Sequence, residues 1–126
     1  MSIQSHFNRS NVIVTANKTL TAADSGIVQV VRGDGIVITL PATANGLNFT
    51  FRNGSRYDGE FAFTVAPAAA DGVTGNGFTA AVNKAVVVSK ATSKAAEEFT
   101  LQGTGTTGVT GWYFVNPLTA IVTRAA

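Results

Sequence analysis

The chain has no cysteine among its 126 residues, one histidine and one tryptophan, and only 13% of its positions carry Asp, Glu, Lys or Arg. Each scarcity removes a class of function. Without cysteine there is no disulfide framework, no thiolate nucleophile and no thiolate metal site. The lone histidine, His6, sits in a polar N-terminal stretch and has no second imidazole with which to share a metal ion. A Ser-His-acid triad needs an imidazole held beside its nucleophile, and a terminal stretch does not by itself supply that. No segment approaches the ~20 apolar residues of a membrane-spanning helix. Met1 to Ser10 lacks the apolar core of a secretory leader, so synthesis in a cytoplasm is expected.

Charge is sparse and balanced. Nine Lys and Arg face seven Asp and Glu, a net of +2. The cations are scattered, without the basic stripe of a nucleic-acid module and without aromatics interleaved for base stacking. Neither a nucleic-acid nor a membrane partner is expected. A disordered chain would combine high charge with low hydrophobicity, whereas 45% of these residues are hydrophobic. A chain of this length buries roughly 65% of its unfolded surface.

What is present is a succession of short β runs between glycines. Asn11-Val-Ile-Val-Thr15 is rich in β-branched residues. Thr21-Ala-Ala-Asp24 has capping-box spacing and Gly26 suits a left-handed exit, which together predict one helical turn. Ile27 to Val31 and Ile36 to Leu40 read as strands, and Asp34-Gly35 between them predicts a hairpin. Pro41, without an amide donor, ends the second strand. Leu47, Phe49 and Phe51 alternate with Asn48, Thr50 and Arg52, and Phe61, Phe63 and Val65 repeat the alternation, so these two strands are expected to pair. Asp71-Gly-Val-Thr-Gly-Asn-Gly77 predicts a short strand with a tight bend. Further strands follow at Ala85–Ser89, Glu97–Gln102 and Gly111–Asn116, and Leu118 to Arg124 reads as a last edge strand.

About nine short strands with glycine turns predict an all-β fold, a single-domain sandwich or barrel-like structure. Residues 11–126 form that domain, and residues 1–10 form an extended N-terminal arm. No repeat of fixed period is visible, which argues against a solenoid or propeller.

Candidate chemistry is thin. Glu97 and Glu98 are adjacent and would point to opposite faces of a strand. Asp58 and Glu60 are the nearest approach to a paired-carboxylate or Ca²⁺ site, although Asp before Gly usually serves a turn. The glycine-rich stretches are not followed by Gly-Lys-Ser/Thr, so they are not phosphate loops. Arg32-Gly-Asp34 spells the tripeptide of integrin ligands but coincides with a turn that accounts for it. Trp112, Tyr113 and Phe114 could build a sugar platform, yet Trp112 and Phe114 fall on one strand face and read as core. No catalytic residues, cofactor or metal site are expected.

The serial order of Thr19-Leu-Thr-Ala-Ala-Asp-Ser-Gly26, Ile38-Thr-Leu-Pro-Ala42, Gly46-Leu-Asn-Phe-Thr-Phe51, Asp71-Gly-Val-Thr-Gly75 and Gly111-Trp-Tyr-Phe114 resembles a family of small tailed-bacteriophage capsid decoration, or cement, proteins. The resemblance spans about Thr19 to Val115. It implies a β-rich, commonly trimeric virion protein on the outer capsid surface, made in the bacterial cytoplasm. Its implied partners are the major capsid protein and its own copies. The implied role is to clamp neighbouring capsomers, without enzymatic activity. A terminal arm reaching a neighbour would correspond to Met1 to Ser10, with Ile3, His6, Phe7 and Arg9 as its expected contacts. The rival expectation is a phage fibre, spike or carbohydrate-binding β module using Trp112 to Phe114 or the Gly103–Gly111 loop.

Overall fold

The β-branched and aromatic runs become eleven short strands in a computed structural model that describes residues 10–115 and 123–124. They are β1 (Asn11–Val14), β2 (Lys18–Thr19), β3 (Val28–Val31), β4 (Ile36–Thr39), β5 (Asn48–Asn53), β6 (Phe63–Ala66), β7 (Val73–Thr74), β8 (Val86–Val88), β9 (Glu98–Gly103), β10 (Trp112–Phe114) and β11 (Thr123–Arg124). One sheet has the order β1-β3-β5-β9-β10-β7 and the other β11-β8-β6-β4-β2. The fold is all-β, as the glycine-punctuated alternation predicts. Most of the expected last edge strand lies outside the described residues, with only Thr123–Arg124 placed on β8.

The first six strands alternate between the sheets, odd-numbered in one and even-numbered in the other. The first four each pair in parallel with the strand two places on: β1 with β3, β3 with β5, β2 with β4 and β4 with β6. Parallel neighbours need a connection of a dozen or more residues, usually a helix. Here a strand of the opposite sheet serves instead, so the chain winds in coils around the core. Coil length is uneven, which is why no period shows in the sequence. Asn11 pairs with Val28, 17 positions on, and Val28 pairs with Thr50, 22 positions on.

This winding corrects two expected pairings. Asp34-Gly35 is a turn, with Gly35 at φ 73°, but it carries the chain from β3 across to β4 in the other sheet. It is an arch between sheets, not a hairpin. An Asp-Gly turn signal specifies a local reversal and says nothing about which strand lies alongside. β3 is buried at every position, Gln29 included, as expected of a strand inside a parallel sheet. Likewise β5 pairs with β3 and β9, while β6 pairs with β4 and β8. Their aromatic faces meet across the core.

That core is one cluster. Phe49, Phe51, Phe99, Leu101 and Trp112 enter from the first sheet, and Ile36, Ile38, Phe63, Val65 and Val86 from the second. Phe99 is its hub, with ring centroids 5.3 Å from Phe51, 5.8 Å from Phe114 and 6.4 Å from Phe63 of the opposite sheet. Burying each Phe contributes on the order of 2–3 kcal/mol. At one margin Lys18 Nζ donates to Oε1 of the buried Gln29 at 2.9 Å, a polar plug between the sheets.

Between β2 and β3 the predicted turn forms as a 3₁₀ turn, Ala22–Asp24. The Asp24 carboxylate accepts from the Thr21 amide at 2.9 Å, and Gly26 leaves at φ 82°. The Asp71–Gly77 stretch gives the short β7, followed by a bend with Gly75, Asn76 and Gly77 all at positive φ.

Candidate functional site

Because β3 and β5 run parallel and β9 runs antiparallel beside β5, the loops that follow β3 and β5 and the one that precedes β9 gather at one end. The loops 32–35, 54–62 and 89–97 carry Arg32, Asp34, Arg56, Asp58, Glu60, Lys90, Lys94 and Glu97. Hydrogen bonds tie these loops together. Asp34 accepts from the Ala62 amide at 2.9 Å and pairs with Lys90 at 2.8 Å, while the Gly35 amide donates to the Ala62 carbonyl. Asp58 accepts from the Ala95 amide at 2.9 Å and lies 3.6 Å from Lys94. Glu60 accepts from the backbone amide of Arg56 at 2.7 Å and from its guanidinium Nε at 3.0 Å.

These pairs move the titration of their members. The Lys90 ammonium, then the Ala62 amide, hold the Asp34 carboxyl below its ordinary 3.8, and Asp34 in turn raises Lys90. The Arg56 guanidinium holds Glu60 below its ordinary 4.5. Asp58 and Glu60, the only acids arranged with any look of a pair in the sequence, are thus each committed to a cation and a backbone amide. Among the described residues no three of His, Cys, Asp and Glu gather as a metal site.

The opposite end is built from loops 20–27, 40–47, 67–72 and 104–111, whose only charged residues are Asp24 and Asp71, and the segment before β8 brings Lys84 beside them, since the Asn83 amide donates to the Asp71 carbonyl. Asp71 is 1% exposed and acts as a staple. Its carboxylate accepts from the Thr43 amide at 2.9 Å and, at 3.4 Å, from the Gly108 amide. The Thr43 hydroxyl extends the network by donating to the Gly111 carbonyl at 2.5 Å. Sequence reading treated Asp71 as a turn residue and missed this role. Nothing local distinguishes a buried Asp-Gly from an exposed one.

Among the described residues that pair in the second sheet, none whose side chain is described on its outward face is charged. Register places Thr19, Val37, Thr39, Thr64, Ala66, Val87 and Thr123 on that face together. The corresponding face of the first sheet differs: Arg52 and Glu98 pair across β5 and β9 at 3.0 Å, beside the Thr50–Thr100 hydroxyl pair.

The aromatic run divides as its alternation predicts. Trp112 is fully buried and Phe114 is 9% exposed, leaving Tyr113 at 38% exposure between them. The expected arm contacts Ile3, His6, Phe7 and Arg9 lie outside the described residues. Among the described residues no helix is long and apolar enough to cross a membrane.

The site is therefore best defined as an all-β body with one charged, cross-tied end, an outward face of the second sheet on which the register places no charge, and an opposite end with few charges. No protein-family model matches the chain, and no curated protein matches it.

Proposed function

We propose that this chain is a non-enzymatic virion structural protein of the decoration or cement class. It binds the outer surface of an expanded tailed-phage capsid and stabilises contacts between capsomers. The observation that carries this reading is the set of uncharged residues that register places on the outward face of the second sheet, Thr19, Val37, Thr39, Thr64, Ala66 and Val87. Such a face can be desolvated without stranding a charge, and it continues toward an end that carries few charges. Burying unpaired charge is the cost an interface core avoids. The serial motif order from Thr19 to Val115 supports the same reading.

In this proposal the major capsid protein is the principal partner, the chain acts as a homotrimer, and residues 1–10 form an arm ahead of one domain, 11–126. Specific stable interfaces bury about 1,200–2,000 Å², and symmetric copies multiply a modest local affinity through avidity. A clamp that binds the assembled shell and not free subunits stabilises the shell by mass action. Burial of Trp112 and Phe114 weighs against the sugar-platform alternative, because only Tyr113 of the three presents an exposed ring.

The test adds purified protein to expanded capsids that lack it and counts bound copies, with light scattering on the free protein. Saturation at a fixed ratio to major capsid protein, abolished by Val37→Lys with Thr64→Lys, is the expected result. Absence of binding at micromolar concentration refutes the proposal.

A further inference from the structure

At the charged end, four of the five cations with described side chains that lie in or beside the tied loops have a carboxylate partner. Arg52 is on Glu98, Arg56 on Glu60, Lys90 on Asp34 and Lys94 on Asp58. Arg32 is exposed and has no hydrogen-bonded or ion-paired partner for its guanidinium among the described residues. It lines an open cleft of about 230 Å³ together with Gly54, Arg56, Glu60 and Phe61. From these observations we infer that the Arg32–Arg56 cleft is a binding site for a carboxylate group.

Charge, shape and rigidity support the assignment. Two guanidiniums and one carboxylate leave the cleft one positive charge in excess. The Glu60 side chain is only 7% exposed while that of Arg56 is 74% exposed, so the acid sits behind and the guanidinium faces outward. Guanidinium presents a planar fork of donors that matches a carboxylate in two parallel hydrogen bonds. The volume equals about eight waters at roughly 30 Å³ each. It is below the ~300 Å³ at which drug-sized ligand pockets begin, and it suits a small acid or one acidic side chain. Phe61, partly buried, supplies an apolar wall for the aliphatic part of such a group.

The walls are pre-set. The Gly54 amide donates to the Val31 carbonyl at 2.8 Å, bringing the loop after β5 against the end of β3. A Cβ at Gly54 would lie 2.6 Å from Arg32 Cγ and 2.7 Å from the Val31 carbonyl oxygen, so only glycine lets the Arg32 stem pass there. Glu60 is fixed by the Arg56 amide as well as by its side chain. Little ordering of the loops is then left to oppose binding.

The carboxylate could belong to a free small acid or to an acidic residue presented by a protein, and the assay separates the two. ¹⁵N-labelled full-length protein is titrated at constant ionic strength with sodium acetate, with an N-acetylated, C-amidated Gly-Asp-Gly peptide, with inorganic phosphate and with sodium chloride. Saturable shifts confined to the Arg32 Nε–H and the amides of Gly54, Arg56 and Phe61 are expected, with millimolar Kd. Arg32→Gln, an exposed change whose spectrum should otherwise match the parent, weakens binding at least fivefold. Equal affinity for acetate and peptide assigns the site to free acids, and at least threefold tighter peptide binding assigns it to a protein segment. Linear shifts matched by chloride, saturation by phosphate but not acetate, or unchanged binding in Arg32→Gln each overturn the inference. The outcome does not depend on the capsid reading, since no capsid is present in the assay.

Discussion

Replacing Asp71 tests whether the sparsely charged end is held by a buried carboxylate or merely by its glycine turns. Asp71 offers two acceptor oxygens and meets two amide donors, Thr43 at 2.9 Å and Gly108 at 3.4 Å. In Asp71→Ala both amides lose their acceptor. A buried donor left unpaired costs about 1–3 kcal/mol, and a hydrogen bond to a charged group is worth about 1.5–3 kcal/mol. The Gly108 contact is long and the Thr43 amide is only part-buried, so the expected loss is about 2–3 kcal/mol in total. Asp71→Asn is the sharper variant. It keeps the shape but offers one acceptor and one NH₂ donor, so one of the two N–H groups must face another donor. A loss of about 1–2 kcal/mol is expected for it. Urea unfolding can be followed through Trp112, the chain's single tryptophan, which is fully buried beside Gly111 of the same network. With an m-value of about 1–3 kcal/mol/M, Asp71→Ala should lower the midpoint by about 0.7–3 M. An Asn variant within about 0.3 kcal/mol of the parent would refute the argument from acceptor count.

Phe99→Ala removes the ring that joins Phe51, Phe63 and Phe114 across both sheets and should cost about 3–5 kcal/mol, measured by the same unfolding curves; a loss under 1 kcal/mol would place the hub elsewhere. Acid should loosen the charged end before the rest. Asp34 and Glu60 are depressed below 3.8 and 4.5, so their stabilisation is present above those values and is lost as pH falls through the depressed ones. Lys90 is raised above 10.5, so its share is present below that value and is lost as pH rises beyond it. Melting temperature measured against pH should therefore fall less steeply in acid for Asp34→Asn with Glu60→Gln than for the parent. Parallel curves would mean that these pairs do not tie the loops.

Much of the fold was legible because side-chain alternation is a local property. Alternation places Phe49, Phe51, Phe63, Trp112 and Phe114 inward, and all five are buried, whereas Phe61, put on the same face by the same alternation, precedes β6, is only partly buried and lines the open cleft. Thr21 and Asp24 announced their turn for the same reason, since capping involves residues three apart. The candidate site was far less legible. Arg32 and Arg56 are 24 positions apart and line one cleft only because β3 and β5 are parallel neighbours, with Gly54 hydrogen-bonded to Val31.

By itself, then, the sequence determined the strand runs, their inward residues, the turn positions and the absence of thiol and multi-histidine chemistry. All of these follow from residue type and spacing of a few positions. Tertiary structure alone decided that the Asp34-Gly35 turn arches between sheets, that β5 and β6 face each other across the core, that Asp71 is a buried staple and that the charges gather at one end. Those outcomes depend on which strands become neighbours. Parallel winding joins residues 17 to 22 positions apart in the first sheet, beyond the reach of any local pattern.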